Sequence, residues 1–398
     1  MPIDCVIFGG GIAGLFILDR FLQEGIKTLL LESKALGTGQ TIDSQGIIHG
    51  GLKYAITASG ANSASAIREM PLLWRRALAG ESLPDLQKVS IRSDFCYLWR
   101  TDSMTSKLGW LAAKLALRTK PTVLEESELP PALHGIPGTV ARLNEQVIEP
   151  RSLLEVMGSN LEQNILKTAE GGVEVSKADN GWLIRLLNPE TGEPLDIITK
   201  KVILTAGSGN SKLRELFQLE PHKTQKRPLH MVLARGDLPI LNGHCIDGSK
   251  TRITITSTED YAGRNVWQIG GQLAEEGVHM TSNELICHTA RELQEVLPAI
   301  SLEGTEFMTY LTTRAEQNSK GRRPADISIL KENNIFTCWP TKLAFAPRLA
   351  TEITKLFEKS ELKDIEIESL NTWPRPQVAL PPWESDQPWT TLEMAHNE

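Results

Sequence analysis

The sequence predicts an α/β fold in two parts. One part is a mainly parallel sheet assembled from separated segments, and the other is an α+β unit on an antiparallel sheet. Three observations predict it. The first 34 residues read as strand, glycine-rich turn, helix, strand and acid. A second apolar strand with a small-residue end returns near residue 200. Between and after them lie runs in which polar and β-branched residues alternate, the pattern of a sheet with one face covered.

The opening unit is "IDCVIFGGGIAGLFILDRFLQEGIKTLLLESK". Ile3 to Phe8 is a continuous apolar run, as a strand buried on both faces requires. Gly9, Gly11 and Gly14 follow as G-x-G-x-x-G. Ile12 to Gln23 carries apolar residues at helical spacing, and Gly25 ends that helix. Ile26 to Leu31 is the second strand, and Glu32 closes it. Gly9 permits the tight turn. Gly11 lets a pyrophosphate approach the positive end of the helix, and Gly14 lets helix and strand pack closely. Glu32 can accept hydrogen bonds from ribose hydroxyls, which disfavours a ribose carrying a 2′-phosphate. The bland alternative is a structural glycine turn beside an incidental acid. The complete strand–turn–helix–strand–acid order favours dinucleotide binding.

Composition narrows the class. The 398 residues carry a net charge of −7, with 40% hydrophobic and 23% charged residues. An acidic chain of this balance disfavours nucleic-acid binding. Five scattered cysteines, with no CxxC pair, suggest neither a disulfide framework nor a zinc site. They fit a reducing, cytoplasmic setting. The N-terminus lacks the pattern of a signal peptide, and the uncharged run Val6 to Leu18 is too short to span a bilayer.

Later segments extend the first unit. "EQVIEPRSLLEVMGSNLEQNI" offers a short strand and a helix starting near Pro150. "GVEVSKADNGWLIRLL" reads as a hairpin turning at Asn180-Gly181. "ITKKVILTAGSGNSKLREL" is a strand from Lys201 to Thr205 that ends in Ala206-Gly207-Ser208-Gly209. The stretches "DCVIFGGGIAGL", "VIEPRSLLEVM" and "KKVILTAGSGN", in this order, resemble the cofactor domain of the D-amino-acid oxidase-like flavoprotein superfamily. The resemblance implies FAD, held by a Rossmann-like domain. Its contacts would be Gly9, Gly11, Ile12, Ala13, Gly14, Glu32, Ser33, Ser44, Gln45, Gly46, Ala206, Gly207, Thr341 and Leu343. Residues 43–55, "DSQGIIHGGLKYA", would lie along the flavin. The expected FAD-binding domain spans 1–75, 145–215 and 325–375. The substrate domain spans 76–144 and 216–324, and 376–398 is an extended tail.

Within the superfamily, His49-Gly50-Gly51-Leu52-Lys53-Tyr54 and Pro340-Thr341-Lys342-Leu343-Ala344-Phe345 resemble segments of FAD-dependent glycerol-3-phosphate dehydrogenases. The L-2-hydroxyglutarate dehydrogenases share a looser form of the first. Lys53 stands where that family has arginine, losing the bidentate fork. Pro340 and Thr341 stand where it has two glycines. The resemblance implies hydride transfer from a small anionic secondary alcohol, such as glycerol 3-phosphate, to flavin N5. Reoxidation would be by quinone or oxygen.

The implied catalytic residues are His49, His230, Arg314 and Lys342, and Lys53, Tyr54, Arg322 and Arg323 would bind substrate. Each has a plainer alternative. His49 could serve only a backbone group, and His230 could be satisfied within a strand. Arg314 could pair with Glu316, and Lys342 could sit on the surface. Arg322 and Arg323 are successive, so at most one faces a common site if they lie on a strand. An amine or 2-hydroxy-acid oxidase, or a flavin-binding protein without turnover, are the other functional readings. "HMVLARGDL", "RITITSTED", "NVWQIGGQL" and "FMTYLTTRA" should form the antiparallel sheet, backed by the amphipathic helix "TSNELICHTARELQEVLP". Residues 106–120, "SKLGWLAAKLALRTK", are cationic and amphipathic. They offer a surface for peripheral membrane contact, or a face that packs on the protein.

Overall fold

The computed structural model describes residues 1–50, 69–100, 122–247, 250–322, 324–359 and 370–397. The first sheet centres on the strand Pro2–Phe8, which pairs in parallel with Thr28–Glu32 on one side and Pro194–Leu204 on the other. Ile165–Lys167 extends the sheet beyond Thr28–Glu32, also in parallel. The strand Pro194–Leu204 changes partners along its length. Its first half pairs antiparallel with Gly181–Leu187, and its end pairs in parallel with Ile335–Trp339. Hence the sheet draws on three distant parts of the chain.

Burial explains the continuous apolar run at the start. Cys5 and Ile7 face the layer of the helix Ile12–Gln23, with Phe16, Leu30 and Leu349. Val6 and Phe8 face the opposite layer, with Leu29, Ile184 and Trp373. Both faces of the strand are covered, so alternation disappears. The helix itself buries Leu15, Phe16, Leu18 and Phe21 and packs beside the helix Ala346–Thr354. The hairpin expected after residue 172 forms, but Ala178 pairs directly with Gly181. Its turn residues are therefore Asp179 and Asn180, one position earlier than the Asn-Gly signal suggests.

The second sheet has nine strands and is antiparallel except for one junction, where Gly243–Asp247 runs parallel to Cys96–Arg100. All four expected strand runs contribute to it, through Thr224–Arg235, Lys250–Glu259, Asn265–Gly270 and Glu306–Gln317, and three of them run past the strand ends. The longest pairing joins Thr224–Arg235 to Glu306–Gln317 over twelve residues. The expected helix is Ser282–Val296, started by a Thr281–Glu284 capping box. It covers one face of the sheet, with Leu285, Ile286 and Leu293 against Ile253, Trp267 and Phe307. The other face looks toward residues 43–50.

The tail is not extended throughout. Thr390–Thr391 pairs with Glu306–Phe307, and the chain then turns into a helix, Leu392–Asn397, against Ser282–Val296. Apolar spacing at Leu392 and Ala395 gives this end an inner face that its proline- and tryptophan-rich approach conceals. Among the described residues no helix is long and apolar enough to cross a membrane. The amphipathic segment 106–120 lies outside the described residues.

Candidate active site

The glycine turn is fixed by sterics. A Cβ at Gly14 would stand 2.0 Å from the Gly9 carbonyl oxygen, and one at Gly9 would stand 2.6 Å from the Ala206 backbone. Gly9 also takes a φ of +107°, where side chains are rarely tolerated. The neighbouring backbone is left open on one side. A Cβ at Gly11 would meet only Thr41 Oγ1, at 3.2 Å, and one at Gly207 only Ala315, at 4.0 Å. Ile12 opens the helix, with its N–H donating to Thr41 Oγ1, and Ala13 and Gly14 continue the first turn. Gly11 caps this helix without a side chain, so its positive end faces the open space.

Glu32 sits at the end of the adjacent strand. Gly10 N–H donates to its Oε2 at 2.7 Å, and Lys34 N–H donates to its Oε1 at 2.8 Å. Each oxygen keeps further acceptor capacity. Ser33 follows on the exposed turn, and Ala206 is held by a bond from its N–H to Asn210 Oδ1. Ser44 Oγ is buried and makes no hydrogen bond among the described residues. A helix N-terminus, a carboxylate at the second strand end and open glycine backbone together fit the pyrophosphate and ribose of a dinucleotide.

Residues 43–50 do not form a loose loop. Thr312 Oγ1 donates to Asp43 Oδ2 at 2.6 Å, and Gln268 and Tyr310 donate to the Asp43 carbonyl. Gln45 Nε2 donates to the carbonyls of Thr254 and Gln268. Gly46 accepts from Ile148 N–H, and Ile47 bridges to Val147. The segment is thus clamped between the second sheet and the stretch 145–148. Burial pushes the Asp43 carboxyl up to about 6, against the opposing pull of the Thr312 hydrogen bond.

The clamp ends at a cluster. Glu145 is buried, accepts from Gly50 N–H at 2.6 Å through Oε1, and places Oε2 3.4 Å from His49 Nδ1. His244 stands on the strand Gly243–Asp247, with Nδ1 2.9 Å from Thr254 Oγ1. The His49 and His244 ring centroids are 5.5 Å apart. One nitrogen or oxygen from each of His49, Glu145 and His244 lies within 4.8 Å of the others.

The structure does not bring His230 to this cluster. Tyr310 and Thr312 point to Asp43, so strand alternation sends Leu311 to the opposite face. His230 pairs directly with Leu311 and shares its direction. Its Nδ1 lies 3.0 Å from the Gly277 carbonyl, which satisfies it within the helical side of the sheet. Arg314 shares the face of Thr312, but its Nη1 donates to Glu275 Oε1 at 2.9 Å. The expected rival, Glu316, instead holds Arg227 through two bonds. Arg322 is exposed. Lys53, Tyr54 and Arg323 lie outside the described residues.

Lys342 is buried, not a surface lysine, with Nζ 4.8 Å from the Phe345 ring centroid. It precedes Leu343, the first residue of a short 3-10 turn. Before it, Thr341 takes a φ of +61° while its Oγ1 donates to the Pro340 carbonyl. Thus a β-branched side chain occupies a left-handed position suited to glycine.

Reading the sequence missed Glu145, His244 and Asp43. Asp43 stands in the singled-out stretch "DSQGIIHGGLKYA", so its position carried a signal. His244 stands beside the apolar pair Cys245-Ile246 in "GHCID", a weak sign of a polar partner across the sheet. Glu145 carried none, because its role depends on a pairing with residues almost a hundred positions earlier.

A family model described as FAD dependent oxidoreductase (DAO) matches residues 4–325. The chain belongs to that family. It is 35% identical over 387 residues to a probable FAD-dependent oxidoreductase of Pseudomonas aeruginosa, covering 96% of this chain and 97% of the relative. The crystal structure of an FAD dependent oxidoreductase from Pseudomonas aeruginosa superposes with a TM-score of 0.79 at 32% identity, over 96% of this chain and 98% of that one. Glycine oxidase from Geobacillus kaustophilus shares the fold, with a TM-score of 0.66 at 13% identity over 92% and 97%. Alpha-glycerophosphate oxidase of Enterococcus casseliflavus is 26% identical over 269 residues, 60% of this chain and 41% of the relative. The oxidoreductase therefore uses FAD, and the glycine turn, Glu32 and the open backbone at Gly207 are the residues that fit it.

Proposed function

We propose that this oxidoreductase dehydrogenates a small anionic secondary alcohol, with glycerol 3-phosphate as the leading candidate. The observation that carries the reading is His49, set at the end of the clamped segment with a buried carboxylate against its ring. Bound FAD supplies the hydride acceptor. His49 takes the hydroxyl proton, and Glu145 orients the ring and pairs with the imidazolium that results. Lys342, buried just after the strand Ile335–Trp339, is the cation for the anionic group, and its charge also favours developing negative charge on oxygen. Arg314 contributes less, because Glu275 already neutralises it. The likeness to the Enterococcus casseliflavus alpha-glycerophosphate oxidase supports a phosphate-bearing alcohol. Quinone or oxygen would reoxidise the cofactor.

The test is anaerobic reduction of the purified yellow protein, followed by flavin absorbance. Glycerol 3-phosphate should bleach it, and His49→Gln should slow bleaching by about 10²–10⁴-fold. Bleaching by amino or 2-hydroxy acids alone would replace the substrate class. No bleaching across a broad panel would favour a flavin protein without turnover. An unchanged rate in His49→Gln would remove the proposed proton acceptor.

A further inference from the structure

We infer that His49, Glu145 and His244 form a binding site for a divalent transition-metal ion of the zinc type. Two imidazoles and one carboxylate are the donor set that such ions prefer, whereas magnesium and calcium prefer oxygen alone. The spacing suits the ion. Ligands about 2.0–2.2 Å from a tetrahedral metal stand roughly 3.4 Å from one another. His49 Nδ1 and Glu145 Oε2 are already 3.4 Å apart, and the third donor is within 4.8 Å of both.

Two outer contacts hold the donors. Thr254 Oγ1 engages His244 Nδ1, which assigns Nε2 as its ligating nitrogen. Gly50 N–H engages Glu145 Oε1, which leaves Oε2 to face the ion. The backbone under each donor is anchored too. His244 lies in a paired strand, and Glu145 closely follows the strand Val140–Leu143. His49 lies between Ile48, which donates to the Gln146 carbonyl, and Gly50. The Glu145 side chain is 7% exposed and the His49 side chain 22%. Access is therefore from the His49 side, and a fourth position there can hold water or an exogenous ligand.

Occupancy would engage His49 and Glu145 together, so the ion would inhibit proton transfer. This consequence rests on the proposed function; the binding does not. The binding test titrates zinc chloride into chelator-dialysed, FAD-loaded protein against a chromophoric chelator. One equivalent should bind. Binding should weaken by at least tenfold in His244→Ala, and by about 10–100-fold in Thr254→Val, which keeps all three donors. No stoichiometric uptake by the wild type, or wild-type affinity in both a folded His244→Ala and Thr254→Val, would overturn the site. Should His244→Ala not fold, Thr254→Val decides alone. In a separate arm, zinc should slow substrate bleaching of the flavin at the concentration that fills the site. Stoichiometric binding without slowing would leave the site standing and remove His49 as proton acceptor.

Discussion

The two sheets place their functional groups by different means. In the first, backbone does the work: a glycine turn, a helix end and a carboxylate lie within 32 residues of one another in sequence. In the second, side chains project from strands whose neighbours are far away along the chain. Thr312 meets Asp43 and His244 meets His49 only after nine strands have paired in register. A shift of one residue there would reverse every side chain. Local sterics can be read from a short motif, while a register cannot.

The largest expected effect breaks the local side of this contrast. Gly14→Val puts branched carbons where even a Cβ would stand 2.0 Å from the Gly9 oxygen. The strand–helix contact must open, at a cost of several kcal/mol, on the order of the larger single-site losses. The purified variant should be colourless or insoluble. Gly25→Ala is the control, because a Cβ there meets nothing within 4 Å. It keeps only the strain of a φ of +73°, about 1 kcal/mol, and should remain yellow. A yellow Gly14→Val of ordinary stability would end the distinction.

That distinction explains what the sequence made legible. The first strand, helix and acid were readable because each constrains its immediate neighbours. The four long strands of the second sheet were readable from alternation, but their facing was not. His230 illustrates the gap. It is a histidine in the expected strand, yet one position out of phase with Leu229 and Met231, and its ring meets the Gly277 carbonyl instead. Arg314 had an acid two residues away, but its partner came from a helix 39 positions earlier.

Titration of Asp43 tests the clamp between the sheets. Its folded value, about 6, lies above the ordinary 3.8. The folded chain therefore holds this proton more tightly than the unfolded chain. Stability from this group is full below about pH 4 and is lost as pH rises toward 6, by up to about 3 kcal/mol. Asp43→Asn retains an acceptor for Thr312 and cannot ionise. Denaturant midpoints between pH 4 and 7 should therefore flatten relative to the wild type. An unchanged pH slope would mean that Asp43 is not the buried titrating group.

His230→Ala sharpens the same contrast at lower cost. It leaves the Gly277 carbonyl without its partner, a loss of about 1–3 kcal/mol in stability. Flavin reduction per folded molecule should stay near the wild-type rate, unlike that of His49→Gln. A variant as stable as wild type but slow in flavin reduction would return His230 to the reacting side.

The smallest effect is at Thr341, where the first sheet carries a local conflict of its own. A β-branched residue with φ of +61° carries about 1–3 kcal/mol of strain. Thr341→Gly removes that strain but also loses the bond from Oγ1 to the Pro340 carbonyl and frees the unfolded chain. The three contributions leave a net gain of about 1 kcal/mol, read as a rise in melting temperature. Thr341→Ala separates the causes. It loses the same hydroxyl and keeps a Cβ in the left-handed region, so it should gain less than glycine. Equal gains would trace the strain to the branched side chain, and a loss in both would show that the hydroxyl bond outweighs the backbone.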